Sequence, residues 1–258
     1  MLRFCSLGSG SSGNATLVEA RSGTTASRVL VDCGFTQREL NARLARAGLA
    51  AGDVDAIFVT HEHGDHIGCA LGFARRHDIP LWMSRGTWRA VGEPDLPDLL
   101  HFARDGETIA VGDLALSPYT VPHDAQEPLQ LRFSDGARHL GVLTDVGSMT
   151  MHLLDHLRGC HALLLECNHD LAMLEASRYP ASLKSRIGGR YGHLSNDTAA
   201  QILFSCLHAG LQHIVAAHLS RENNRPELAL AALRAVSGAD ASSLRAAGPD
   251  WGCDWIDL

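Results

Sequence analysis

The sequence predicts an α/β sandwich in which helices cover two sheets, and two observations carry that reading. Short β-branched and apolar runs recur through both halves of the chain. Amphipathic helical runs punctuate them. No uninterrupted apolar stretch approaches the roughly 18 residues of a membrane span. At 258 residues and 45% hydrophobic content the chain can bury a full core, and it reads as one domain over 1–258.

Strand patterning begins at 2–7 and 14–20, either side of Gly8-Ser-Gly-Ser-Ser-Gly13, and resumes at 28–32. A helix is expected over 36–47, where Leu40, Leu44 and Ala47 share one face and Gly48 is placed to end it. Asp55-Ala-Ile-Phe-Val-Thr60 reads as a buried strand running straight into His61-Glu-His-Gly-Asp-His66, with helical character following over 66–77. A strand at 79–83, a helix at 86–91 and a long strand-like stretch at 107–121 come next. Asp135-Gly136 is a hairpin signal between strands at 129–134 and 139–144. Helices are expected at 148–158, 169–176, 195–209 and 226–236, and strands at 162–167, 213–217 and 251–256. The stretch from Ser237 onward is loosely patterned.

Composition excludes several classes. Seven scattered cysteines, an odd number without Cys-x-x-Cys, argue for free thiols and against a disulfide framework or a zinc knuckle. The first residues lack the basic region, long apolar core and cleavage site of a signal peptide, so a cytoplasmic enzyme is expected, with no membrane association. A formal charge of −7 argues against a surface coated in basic residues. Gly8-Ser-Gly10-Ser-Ser-Gly13 matches the dinucleotide fingerprint, but a β-type run follows where that fingerprint needs a helix. The loop is better suited to cradling an anion through its backbone N–H groups and Ser9, Ser11, Ser12 and Asn14.

The chemistry concentrates at His61, His63, Asp65 and His66, four metal-type ligands in one short loop after a strand. Two divalent ions about 3.5–4 Å apart need several His or carboxylate ligands each and a group to bridge them. Three further candidates, His123, Asp145 and His218, each follow a strand-like run, and strand ends on one edge of a sandwich converge. The expected cofactor is therefore a pair of divalent ions.

The ordered series Asp32, His61-x-His63-x-Asp65-His66, His123, Asp145 and His218 resembles the five motifs of the metallo-β-lactamase-fold metallohydrolases, over nearly the whole chain. The resemblance implies a four-layer αββα sandwich. It also implies that His61, His63 and His123 hold one metal, that Asp65, His66 and His218 hold the second, that Asp145 bridges them, and that Asp32 is a buried acid behind the site. True β-lactamases of the family carry cysteine where Asp145 stands, and flavodiiron members carry glutamate where His63 stands, so the resemblance implies zinc in the first place, with manganese as the alternative, and no antibiotic hydrolysis. Ser6-Leu-Gly-Ser-Gly-Ser-Ser-Gly-Asn14, Thr60-His-Glu-His-Gly-Asp-His66, Gly192-His-Leu-Ser-Asn196 and His218-Leu-Ser-Arg-Glu-Asn-Asn224 resemble the hallmarks of the nuclease-like YycJ/WalJ-type group. Leu163-Leu-Leu-Glu166 with Gly192-His193-Leu-Ser195 looks like the Glu/His pair of RNase Z, although that enzyme's long arm is missing.

By this resemblance Asp65, Glu166 and His193 are the catalytic candidates. The mechanism that the resemblance implies is attack on phosphorus by a metal-bridging hydroxide, with His193, oriented by Glu166, expected to serve the phosphate or the leaving oxygen. From Ala176 to Asn196 the chain carries Arg178, Lys184, Arg186 and Arg190, with Tyr179 and Tyr191 and no acid. This reads as a basic loop for a nucleic-acid backbone, with Lys184, Arg186, Arg190 and Ser195 as substrate-binding candidates. Ser195 or Asn196 also suits the N-cap of the next helix. The leading expectation is a metal-dependent nuclease acting on DNA or RNA. The rival is a hydrolase of a small cyclic phosphodiester or a thioester, and the oligomeric state is left open.

Overall fold

The computed structural model of the chain describes residues 1–238 and 243–258, so part of the loosely patterned stretch after Ser237 lies outside the described residues. Strands β1 (Leu2–Gly8), β2 (Ala15–Ser22) and β3 (Thr25–Val31) form an antiparallel meander. Their apolar residues are buried on both faces, which only strands sandwiched between two layers can be. β3 then pairs in parallel with β4 (Ala56–Phe58), and the parallel pairing continues through β5 (Leu81–Met83) and β6 (Leu100–Phe102).

The second sheet repeats this plan. β7 (Ile109–Val111), β8 (Leu114–Thr120), β9 (Leu129–Ser134) and β10 (His139–Leu143) are antiparallel, with Asp135 and Gly136 in the expected hairpin turn. β10, β11 (Ala162–Glu166), β12 (His213–Ala217) and β13 (Leu244–Ala246) are parallel. The final strand β14 (Cys253–Asp257) returns to pair with β1, giving two mixed sheets of seven strands.

Three apolar clusters glue four layers together. Phe4, Val18, Phe58, Leu131 and Phe133 meet between the sheets. Helices α1 (Gln37–Arg46) and α3 (Ala70–His77) place Leu40, Leu44 and Phe73 on the outer face of the first sheet. Helices α5 (Met151–Leu157), α8 (Asn196–Cys206) and α9 (Pro226–Ser237) cover the second with Leu153, Leu157, Ile202, Leu203 and Leu233. Each fully buried side chain of this size contributes about 1.5–3 kcal/mol over its exposed state. This is the αββα sandwich the sequence leads one to expect.

The differences have local causes. The helical run 66–77 is two helices, α2 (Gly64–Ile67) and α3, because Gly68 sits at φ +32 where a Cβ would lie 2.3 Å from Cys33 O. The run 107–121 is a hairpin turning at Gly112 and Asp113. α4 (Arg85–Ala90) and α6 (Leu171–Ala176) fall where expected. The basic stretch is not a plain loop, since α7 (Ala181–Ile187) occupies its middle.

Candidate metal centre

The parallel strands of both sheets deliver their C-terminal ends to one edge, and the expected site residues sit there. Asp32 follows β3, His61 to His66 follow β4, Asp145 follows β10, Glu166 ends β11 and His218 follows β12. Asp32, Asp145 and His218 hold φ of +62, +54 and +53, a region that side-chain-bearing residues rarely occupy. Three strained residues converging on one spot mark it as a functional site.

From the first sheet, Asp32 is buried and accepts from Thr60 N at 2.8 Å and from His66 Nδ1 at 2.7 Å. This leaves His66 Nε2 to face the centre, 2.7 Å from Asp145 Oδ2. Thr60 Oγ1 also takes His61 Nδ1 at 3.0 Å, so His61 Nε2 points inward, buried and without a hydrogen-bond partner. From the second sheet, His123 Nδ1 donates to Gly192 O at 3.0 Å, placing its Nε2 3.3 Å from His63 Nδ1 and 3.8 Å from Asp145 Oδ1. His218 Nε2 stands 3.4 Å from Asp65 Oδ2 and 3.6 Å from Asp145 Oδ1.

Ligand atoms of His61, His63 and His123 form one cluster, those of Asp65, His66 and His218 a second, and Asp145 joins His61 and His66 in a third. Asp145 also clusters with Glu166, His193 and His218. An orphaned buried imidazole nitrogen, and an Asp145 Oδ2 that accepts no hydrogen bond, fit a pair of cations held between them. Zinc and manganese both suit a His and carboxylate donor set.

Glu166 is fully buried. Its Oε1 accepts from His193 Nδ1 at 2.8 Å and His218 Nδ1 at 3.2 Å, and its Oε2 from the N–H groups of Val146 and Leu194. Burial raises its pKa, but the His193 charge and these hydrogen bonds outweigh burial and hold it at about 2. Burial disfavours the charged form of His193 as well, yet Glu166 and Asp145 hold its pKa above the usual imidazole value. The same acids, with Asp65, carry His218 to about 10 against the desolvation it suffers. His61, with burial dominant and three histidines around it, is pushed well down. Asp145 stays charged far below the ordinary carboxylate range despite burial, because His218 and His66 surround it.

The expected substrate-binding residues separate into two groups. Ser9 Oγ accepts the His218 N–H at 2.8 Å and donates to Asn14 Oδ1. Asn14 Nδ2 reaches Asp65 O at 3.2 Å and His66 Nε2 at 3.1 Å, so both side chains of the glycine-rich loop brace the centre from within. Ser195 is the N-cap of α8, accepting from Thr198 N. Ser11 and Ser12 stay exposed. In the basic stretch, Lys184 donates to Glu175 O and Arg186 pairs with Asp124 at 2.6 Å. Arg178 and Arg190 are exposed without an ion-pair partner among the described residues. Arg190 and Tyr191 line a cavity of about 230 Å³ with Asp124, Arg186 and Gly192.

Sequence reading passed over Asp124, whose Oδ1 is 3.5 Å from His123 Nε2 and 3.9 Å from His63 Nε2. Its place directly after His123 was the available signal. Gly34 was passed over too: a Cβ there would lie 1.8 Å from Asp65 O, so only glycine lets the backbone close on the ligand loop.

Known proteins resemble the chain over most of its length. The model of the metallo-beta-lactamase superfamily matches residues 8–149, more than half of the chain. The chain is 36% identical over 231 residues to exodeoxyribonuclease YycJ of Bacillus anthracis, covering 88% of this chain and 86% of that protein. It is 34% identical over 233 residues to exodeoxyribonuclease WalJ of Streptococcus pneumoniae serotype 2, covering 88% and 85%. Among solved structures, the metallo-beta-lactamase fold protein YhfI of Bacillus subtilis superposes with a TM-score of 0.75 at 16% identity, over 99% of this chain and 98% of that one. No helix among the described residues is long and apolar enough to cross a membrane.

Proposed function

The chain belongs to the metallo-β-lactamase superfamily of hydrolases, and from that premise we propose that it is a two-metal phosphodiesterase that degrades DNA. The observation that carries the reading is His193: its Nδ1 is fixed by buried Glu166, and its partly exposed ring stands at the rim of the metal centre. A ring held this way has Nε2 left to meet a substrate. The names of the two bacterial relatives support DNA as the polymer.

His61, His63, Asp65, His66, His123, Asp145 and His218 would hold the two divalent ions, which when bound would supply Lewis acidity to the water and the phosphate. The protein's own part is to orient and to move a proton. Asp32, Thr60, Gly192 and Glu166 each hold one face of an imidazole, so that the opposite nitrogen needs no reorganisation when a ligand arrives. Glu166 keeps His193 protonated at Nδ1 and raises its basicity, so Nε2–H donates toward a phosphate oxygen or the departing oxygen. Arg190 and the exposed Tyr191, two residues and one residue before Gly192, offer a charge for a neighbouring phosphate and a face for a base.

The test is metal-reconstituted protein offered labelled single- and double-stranded DNA, RNA and a small bis-aryl phosphodiester. DNA is expected to be degraded, and His193→Ala to slow this by about 10²–10⁴-fold with metal content unchanged. His218→Ala is expected to lose metal. Cleavage of the small ester with every polynucleotide left intact would instead favour the small-substrate reading, which the formal charge of −7 supports.

A further inference from the structure

A second group of ligand-type side chains lies outside the centre, on the helix-covered face of the second sheet. α5 carries His152 and His156 one turn apart, so both rings project from one face of the helix, with centroids 4.8 Å apart. Asp105, from the segment between β6 and β7, reaches the same place, its Oδ2 2.7 Å from His152 Nε2. One ligand atom from each of the three lies within 4.8 Å of the others.

Two of the three are fixed from behind. Asp105 Oδ2 accepts the Thr120 N–H at 2.9 Å and its hydroxyl at 2.6 Å, so Oδ1 is left over. The His156 ring lies flat on Tyr119, 4.5 Å between centroids and 14° between planes, and the buried Tyr119 hydroxyl donates to Val142 O. His152 is 48% exposed and has room to turn. Burial, reinforced by His152, lowers the His156 pKa and keeps that ring neutral. Burial alone would raise that of Asp105, but the Thr120 and His152 hydrogen bonds prevail and keep the carboxylate charged. These are the protonation states a metal requires.

We propose that Asp105, His152 and His156 form a separate site for a borderline divalent transition ion such as zinc, cobalt or nickel, tying the β6–β7 segment to α5. Two imidazoles and a carboxylate are a donor set for such ions, with the fourth position left to water. At metal–ligand lengths of about 2.1 Å, tetrahedral donors stand roughly 3.4 Å apart. The Asp105–His152 contact must therefore open slightly, which the exposed His152 allows. The site braces Asp105, which holds Thr120 at the end of β8, three residues before His123. Its role is to stiffen that stem, away from the substrate.

The test is equilibrium dialysis of the full-length protein against zinc, followed by elemental analysis, for wild type, His152→Ala and Asp105→Asn. Wild type is expected to retain one more ion per chain than either variant, and zinc is expected to raise its melting temperature further. His152→Gln, which keeps the helix surface polar, guards against a folding defect and is expected to behave as His152→Ala. The same ion count in wild type and all three variants would overturn the proposal. Because every variant leaves the seven residues of the catalytic centre intact, the difference in ion number stands or falls whether or not the chain degrades DNA.

Discussion

Asp32 and Glu166 occupy matching places in the two halves of the molecule, each a buried acid at the end of a parallel strand, one per sheet. Asp32 serves the His61–His66 loop: its side-chain hydrogen bonds among the described residues run to Thr60 and His66. Glu166 serves two masters, holding His218 in the metal centre and His193 at its rim. The difference teaches that a buried acid behind a metal site is not one kind of residue. In the first sheet it orients one histidine of the cluster, and in the second it ties a histidine of the cluster to His193, the group proposed to meet the substrate.

The largest expected effect tests the element that joins the halves. Asp145→Ala should remove one of two ions and reduce turnover by more than the 10²–10⁴-fold expected of a lost acid–base group, as elemental analysis and a DNA cleavage assay would show. Next, Glu166→Gln should cut turnover by about 10²-fold or more even at saturating metal, whereas Asp32→Asn should weaken metal binding by about 10–100-fold and leave the fully loaded enzyme near wild type. Two variants with the same profile would collapse the distinction between the acids.

A third expectation concerns the metal-free protein. His218, raised from 6.5 to about 10, contributes stability that is complete below pH 6.5 and is lost as the pH climbs toward 10. Glu166, lowered from 4.5 to about 2, contributes stability that is present above pH 4.5 and is lost as the pH falls toward 2. Melting in chelator should therefore be highest between these limits. Metal must displace the His218 proton, so zinc should stabilise more as pH rises; a chelated protein whose melting point holds steady from pH 6.5 upward would contradict the assignment. The smallest effect belongs to the substrate side. Arg190→Ala should flatten the salt dependence of DNA binding by about 0.7–0.9 in log K against log salt, one phosphate contact, measured by a salt titration of binding.

The ligand series was legible because strand ends in the sequence are strand ends in space, and the contiguous His61–His66 loop announces the edge on which they meet. What could not be read has physical reasons. β6 and β13 are three residues long, too short to show periodicity, and exist only through their neighbours. α7 buries no residue, so it has no apolar stripe to betray it. Ser9 and Asn14 lie in a loop whose composition suits an anion, yet their partners are His218 and Asp65, far away in the chain. Composition identifies what a side chain can bind, and only the fold decides which partner reaches it first.

One hydrogen bond described above has a wider reach. His123 is steadied by the carbonyl of Gly192, and Gly192 lies between α7 and His193, with His193 N bonded back to Ile187 O. A Cβ at Gly192 would lie 2.1 Å from Arg186 O, so this crossing is packed too closely to give. The basic segment before His193 and the imidazole of His123 thus meet at one close-packed crossing. A side chain added at Gly192 would disturb both at once, whichever of them a ligand touches.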